Sequence, residues 1–267
     1  MALMLDGCRA LVTGASGGLG GAIARALHAR GAVVLLTARR AEVLEELHAE
    51  LGPRSEAVPA DLAKAEDVAA LVQSAGRVDL LVANAALPGS GPFLGYDAGQ
   101  IDRALDVNLR APMQLTRALA PAMIERGSGH LVYISSISGK VSGPGSSIYS
   151  ATKFGLRGFA FGLGGDLRGT GVGVTTVFPG FIREAGMFHD AGVKLPPWVG
   201  TRTPGQVADA VIKGVETGRA EIDVAPLSLR AGGWLAGAAP SALAAIQRGI
   251  GGRKISDDMG EAQKGQR

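Results

Sequence analysis

Cysteine is nearly missing: Cys8 is the only one in 267 residues. A single thiol closes no intrachain disulfide, so a reducing cytoplasm is the expected compartment. The four histidines, His28, His48, His130 and His189, stand at spacings that match no ligand pattern with cysteine or carboxylate, and no metal is expected. No sign of charge dominates, with 27 basic against 24 acidic residues and a net charge of +3. The bases are scattered among the acids, which argues for a solvated surface and against a nucleic-acid groove. The chain does not open with a basic stretch followed by an apolar one, so no signal peptide is expected. No apolar run reaches eighteen residues. The nearest, 231–246, is interrupted by Pro240, so no transmembrane segment is expected. That stretch is expected to cover a core, with contact to a membrane surface or a second subunit as the alternatives.

What is present fits one α/β domain. The length suffices for a full core, and 46% of the residues are hydrophobic, which excludes a disordered chain. Short apolar runs alternate with longer amphipathic ones, the pattern of repeated βα units on a parallel sheet. Strands are expected at 10–13, 33–37, 56–59, 78–83, 130–135, 172–178 and 220–224. Helices are expected at 18–30, 41–51, 64–74, 100–126, 147–168 and 204–217, with Pro112 and Pro121 bending or breaking the long fourth one. The fold class is therefore a doubly wound sheet of about seven parallel strands with helices on both faces. One domain is expected over 1–255, followed by a polar, frayed tail over 256–267.

Most glycine and polar signals follow strands one, four, five and six, where open α/β sheets bind ligands. The first is the turn Thr13-Gly14-Ala15-Ser16-Gly17-Gly18-Leu19-Gly20. It follows a strand and precedes a helix, the context of a phosphate-cradling turn, where glycines let the backbone approach a pyrophosphate and the helix N-terminus offers N–H groups. Its spacing, Gly14, Gly18, Gly20, differs from Gly-x-Gly-x-x-Gly, and a tight βα connection is the plainer alternative. After the second strand, where an acid would meet a free ribose 2′-hydroxyl, the chain has Arg39 and Arg40. Two planar forks suit a 2′-phosphate, so NADP(H) is favoured over NAD(H). Two arginines at a helix start are otherwise ordinary surface residues. Asp61, after the third strand, suits either an adenine amino group or the cap of the next helix.

The chemistry centres on Tyr149 and Lys153. Four residues apart on a helix, they share a face, and Ser136 lies thirteen residues upstream of the tyrosine. A phenol holds its proton with a pKa of about 10, and a neighbouring cation is expected to lower it into reach of neutral-pH proton transfer. Proton handling beside a dinucleotide points to hydride transfer. Two hydroxyl donors and a cation would stabilise the negative charge that develops on oxygen.

In order and approximate spacing, the Thr-Gly-x-x-x-Gly-x-Gly turn, Asn84-Ala85, Asn108, Ser136, Tyr149-x-x-x-Lys153 and Pro179-Gly180 resemble the short-chain dehydrogenase/reductase family over about residues 6 to 225. The resemblance implies a Rossmann-type domain and an oxidoreductase acting on a carbonyl or secondary alcohol. It implies Tyr149 as general acid/base, Ser136 holding the substrate oxygen, Lys153 lowering the tyrosine pKa and bonding the nicotinamide ribose, and Asn108 anchoring a water that links Lys153 to solvent. The implied cofactor contacts are Gly14, Ser16, Gly18, Leu19, Gly20, Arg39, Arg40, Asp61, Leu62, Asn84, Tyr149, Lys153, Pro179, Gly180 and Ile182. Three positions depart from the family pattern. Ala83 replaces an asparagine that steadies neighbouring strands, Ala86 replaces a glycine, and Glu184 stands where a threonine hydroxyl would meet the nicotinamide carboxamide.

In the family the segment after Pro179-Gly180 closes over substrate. Here a lid at about 183–203 carries Met187, Phe188, Leu195, Pro196, Pro197 and Trp198, which suggests an apolar substrate. Gly155, Gly158, Gly162, Gly164 and Gly165 crowd the helix of Tyr149. Each costs roughly 1 kcal/mol against alanine, so close approach of another helix is expected. The resemblance makes that approach a homodimer or homotetramer contact. The competing reading is a non-catalytic nucleotide-sensing or scaffold protein of the same fold.

Overall fold

The computed structural model describes residues 3–193, 199–238, 259–263 and 265. Seven strands form one parallel sheet: β1 (Arg9–Thr13), β2 (Val33–Thr37), β3 (Ser55–Ala57), β4 (Leu80–Ala83), β5 (Gly129–Ile134), β6 (Val172–Pro179) and β7 (Glu221–Val224). They lie in the order β3-β2-β1-β4-β5-β6-β7. The helices are α1 (Gly18–Ala29), α2 (Ala41–Leu51), α3 (Ala65–Ala75), α4 (Ala98–Leu105), α5 (Ala111–Glu125), α6 (Ser147–Asp166), α7 (Met187–Asp190), α8 (Pro204–Thr217) and α9 (Leu227–Ala238). The strand order reverses direction between β1 and β4, the crevice where such sheets bind ligands.

Strand alternation builds two cores. Ala10, Val12, Val34, Leu36, Val82, Val132 and Val177 pack on α1, α2 and α8 through Ile23, Leu27, Leu44, Val207 and Val211. Leu11, Leu35, Leu81, Leu131 and Tyr133 face the other way, onto α3, α5 and α6 through Val68, Leu71, Leu115, Leu119 and Leu156. Both faces of the sheet are thus buried.

The expected long helix over 100–126 is two helices. A π-helical turn, Asp106–Arg110, separates α4 from α5. Such turns insert one extra residue and cluster at functional sites; this one holds Asn108. Pro112 follows directly on the π-helical turn, where the helical hydrogen-bond register is already shifted and its missing N–H is accommodated. Pro121 does not interrupt α5. It lies on the exposed side, where water can serve the carbonyl it leaves unpaired. Helix α9 was not anticipated; it takes in the start of the 231–246 stretch, and residues 239–246 lie outside the described residues. No helix among the described residues is long and apolar enough to cross a membrane. Of the expected tail, 259–263 and 265 are described. Gln263 is buried, and its side-chain amide donates to the Met187 carbonyl at 3.2 Å.

Candidate active site

The turn after β1 is as tight as its glycines imply. Gly14 has φ +68°, and a Cβ there would lie 2.8 Å from Ala85 Cα. A Cβ on Gly20 would lie 2.2 Å from the Gly14 carbonyl oxygen. The Gly17 N–H donates to that oxygen at 3.1 Å. No side chain caps α1 at Gly17, which leaves first-turn N–H groups free of an internal acceptor. A Cβ on Gly18 would come within 2.2 Å of Ala185 Cβ, so the segment after β6 lies on the first residue of α1. Leu19 is half-buried against the α1 side of the core.

Thr13 and Asn84 lock the ends of β1 and β4 together. The Thr13 hydroxyl accepts the backbone N–H of both Asn84 and Ala85 at 2.9 Å, and Asn84 Nδ2 donates to the Thr13 carbonyl at 2.9 Å. This does the steadying that Ala83 cannot. At the end of β2, Arg40 folds back so that Nη2 donates to the Ser16 carbonyl at 2.8 Å, beside the Ser16 hydroxyl at 3.5 Å. Arg39 is exposed. The Thr37 hydroxyl, fully buried just before these arginines, has no hydrogen-bond partner. Asp61 does not cap α3, whose N-cap position is Lys64: Oδ1 accepts the Ala63 N–H at 3.1 Å, while Oδ2 lies 3.2 Å from Arg103 of α4. The Leu62 side chain is buried in the α3–α5 core and that of Ile182 in the α1–α8 core.

At the end of β5, Ser136 comes near enough to Tyr149 for its hydroxyl to pull the phenol pKa down. Ser136 Oγ also accepts the Ser138 N–H at 3.1 Å and lies 3.5 Å from the Pro179 carbonyl oxygen. Ser135 instead points inward, its hydroxyl donating to the Lys153 carbonyl at 3.0 Å. Lys153 is buried. Its Nζ donates to the Ile134 carbonyl at 2.8 Å and stands 5.6 Å from the centre of the Tyr149 ring.

The expected effect of Lys153 on Tyr149 is not what the structure gives. Burial pushes the phenol up to about 12, and only the nearby Ser136 hydroxyl pulls it down. Burial likewise pushes the Lys153 amine down to about 7. Desolvation penalises both charged forms, and an amine turned to a backbone carbonyl does little for the phenolate.

Asn108 is also buried. Its Oδ1 accepts the Leu87 N–H at 2.6 Å, and its Nδ2 donates to the Leu87 carbonyl at 3.0 Å and to Thr152 Oγ1 at 3.3 Å. The asparagine thus pins the loop after β4 to α6. Gly89 continues that loop: a Cβ there would lie 2.8 Å from Tyr149 N. The segment after β6 has a defined neck, with Ile182 bridging Arg202 and the Arg183 N–H donating to the Arg202 carbonyl at 2.9 Å. Glu184 adopts φ +75°, a left-handed conformation uncommon outside glycine. Phe181 and Phe188 pack with ring centres 5.0 Å apart. Leu195, Pro196, Pro197 and Trp198 lie outside the described residues.

Gly89, Arg103, Ala185 and Gln263 had no motif to mark them. Gly89 carried a faint signal, a glycine in the loop after a strand whose end was already suspect, and Ala185 fell within the expected lid.

A family model described as short chain dehydrogenase matches residues 9–194. The chain belongs to the short-chain dehydrogenase family. The ketoacyl reductase HetN of Nostoc sp. is 38% identical over 227 residues, 82% of this chain and 79% of the relative. A metagenomic short-chain oxidoreductase solved in complex with NADP is 34% identical, with TM-score 0.72 over 84% of this chain and 99% of that one. A short-chain dehydrogenase from Sphingobium yanoikuyae solved with NADPH is 31% identical, with TM-score 0.77 over 88% and 94% of the two chains. The protein is therefore a short-chain oxidoreductase acting on carbonyl or alcohol groups, with a fold that binds NAD(P). Its own residues fit a dinucleotide: a turn with no room for Cβ atoms, an uncapped helix N-terminus, and an orphaned threonine hydroxyl beside two arginines.

Proposed function

We propose that this member of the family transfers a hydride between NADP(H) and the carbonyl or secondary alcohol of an apolar substrate, with Tyr149 as the general acid/base. The observation that carries the reading is the buried Lys153 amine 5.6 Å from the centre of the Tyr149 ring, with Ser136 near the phenol, at the carboxyl end of β5. The dinucleotide supplies or accepts the hydride. Ser136 and Tyr149 hold the substrate oxygen with two hydroxyls, which stabilises charge developing there. A phenol held at about 12 keeps its proton at neutral pH, the form that hands a proton to a carbonyl oxygen during reduction. Lys153, near pKa 7, is the group able to resupply that proton. Asn108 acts by fixing the loop after β4 against α6 rather than by touching substrate.

Gly14, Ser16, Gly18, Leu19 and Gly20 would hold the pyrophosphate, with Arg39 and Arg40 at a 2′-phosphate. Asp61, Leu62 and Asn84 would line the adenosine side, and Pro179, Gly180 and Ile182 the nicotinamide side. NADP and NADPH in solved relatives support the phosphorylated cofactor. Met187, Phe181 and Phe188 support an apolar substrate, and the ketoacyl reductase relative supports a ketone on an acyl chain. The domain is proposed to extend over 1–255, in the cytoplasm, in keeping with a lone, buried Cys8. A homo-oligomer is supported by α6, whose outer face exposes Phe154 and Phe161 next to Gly158 and Gly162 with open space over both glycines.

Tyr149→Phe tests the central claim. Turnover of a carbonyl panel, followed by NADPH absorbance, should fall by about 10²–10⁴-fold while NADP+ binding persists. Unchanged turnover would remove Tyr149 from the chemistry, and a wild-type protein inert on every carbonyl and alcohol would favour the nucleotide-sensing alternative.

A further inference from the structure

The adenosine side of the cleft contains a charge arrangement that no motif announced. Arg103, on α4, is distant in sequence from the glycine turn and from Arg39–Arg40. Its Nη2 lies 3.2 Å from Asp61 Oδ2 and 3.5 Å from Oδ1. Asp61 is fixed on its other side as well: the Ala63 N–H donates to Oδ1 at 3.1 Å, and the Asp61 N–H donates to Asp67 Oδ2 at 2.8 Å. Burial pushes the Asp61 carboxyl up, but the Ala63 N–H, Arg103 and Arg39 together hold it below the usual carboxylate range. Arg39 therefore feels Asp61 through charge. It makes no hydrogen bond or ion pair with it, whereas Arg40 is committed to the Ser16 carbonyl.

Asp61 is thus a carboxylate that Arg103 holds, while Arg39 acts on it only through its charge. We infer that Arg103 is a cofactor-specificity residue: by occupying the Asp61 carboxylate it leaves Arg39 free to meet a phosphate on the adenosine ribose. This rests on the proposed NADP(H) reading and extends it to a helix that carries no nucleotide motif. Two effects act in the same direction. Without Arg103, Asp61 competes for Arg39, and its uncompensated charge repels a phosphate of nearly two negative charges. Neither effect bears on a cofactor with a free 2′-hydroxyl. Arg103 touches neither reacting atoms nor, on this reading, the cofactor; it is a positioning residue.

Calorimetric titration of the full chain with NADP+ and with NAD+ tests this. Arg103→Gln should weaken NADP+ about two- to fivefold, the upper range of a partly exposed charge pair, and leave NAD+ nearly unchanged. Raising the salt concentration should shrink the difference. Arg103→Lys, which keeps the charge, should keep the preference. Asp61→Asn placed in the Arg103→Gln background should restore it, because the competing charge is gone. Equal losses for both cofactors, or no recovery in the double variant, would mean that Arg103 merely anchors α4, and the inference falls. A wild-type protein that binds NADP+ no better than NAD+ would sink the cofactor reading and this inference with it. A wild-type preference that Arg103→Gln leaves intact sinks the inference alone.

Discussion

Gly89→Ala is the smallest change that should reach the chemistry without altering any group that takes part in it. The added Cβ would sit 2.8 Å from Tyr149 N, 3.1 Å from its Cβ and 3.2 Å from its Cα. Ordinary contact begins near 3.4 Å, so about 0.6 Å must be found. The obstructing atoms are mainly backbone in the first turn of α6 and cannot rotate away. The opposite wall is equally firm, because Asn108 ties Leu87 of the same loop to the π-helical turn by two hydrogen bonds of 2.6 and 3.0 Å. Overpacking of this kind costs about 1–3 kcal/mol, a melting shift of roughly 2–4 °C per kcal/mol in a chain of this size. A misplacement of about 1 Å at a reacting group can cost on the order of 10²-fold in rate, so a shift of about half that should lower kcat roughly tenfold. The assay is steady-state NADPH consumption with a saturating carbonyl substrate, alongside NADP+ titration and thermal unfolding. NADP+ affinity should hold to within about twofold while kcat falls. A Gly89→Ala protein with wild-type kcat and melting temperature would refute the packing argument; loss of NADP+ binding in step with kcat would show that the loop supports the cofactor instead of the tyrosine.

Other expectations follow from the same geometry. Arg39→Ala should weaken NADP+ binding about tenfold, the worth of a charge-assisted bond, with little change for NAD+, and equal losses would dismiss the 2′-phosphate role. His130 is fully buried, with Nε2 2.9 Å from Thr175 Oγ1 and Nδ1 without a partner. The Thr175 hydroxyl donates to the Arg219 carbonyl at 2.7 Å, so it must accept from Nε2–H, and protonating Nδ1 would bury a donor with no acceptor. Burial pushes His130 down to about 4, below its usual value of about 6.5. Its contribution is therefore complete above pH 6.5 and lost as pH falls towards 4, at up to about 1.4 kcal/mol per pH unit. Urea unfolding of wild type and His130→Gln across that window should diverge by this slope, and parallel curves would contradict it. Light scattering should find an oligomer that Phe161→Glu dissociates, Phe161 being 79% exposed on α6; a monomeric wild type would end that proposal.

The architecture was legible because it depends on local periodicity. Apolar runs of strand length alternating with amphipathic stretches admit little but a parallel sheet covered on both faces, and the strand ends then carry whatever glycine and polar signals remain. The turn at Gly14–Gly20 and the spacing of Ser136, Tyr149 and Lys153 were visible for the same reason: short, rigid connections leave few residue choices. The π-helical turn at Asp106–Arg110 was not visible, since one inserted residue leaves the helical pattern on either side intact.

Electrostatics was the other matter left to the tertiary structure. From spacing alone, Lys153 should lower the Tyr149 pKa. In the fold the amine turns to the Ile134 carbonyl, and desolvation moves both groups toward neutrality. The pairing of Asp61 with Arg103, the closeness of Gly89 to Tyr149 and the seat of Ala185 on Gly18 join segments far apart in the chain. The sequence by itself determined the sheet, its two cores and which ends would be polar, because those follow from the side-chain periods of helix and strand. Distances across the crevice, and the charge states that depend on burial there, were decided only when the strands closed ranks.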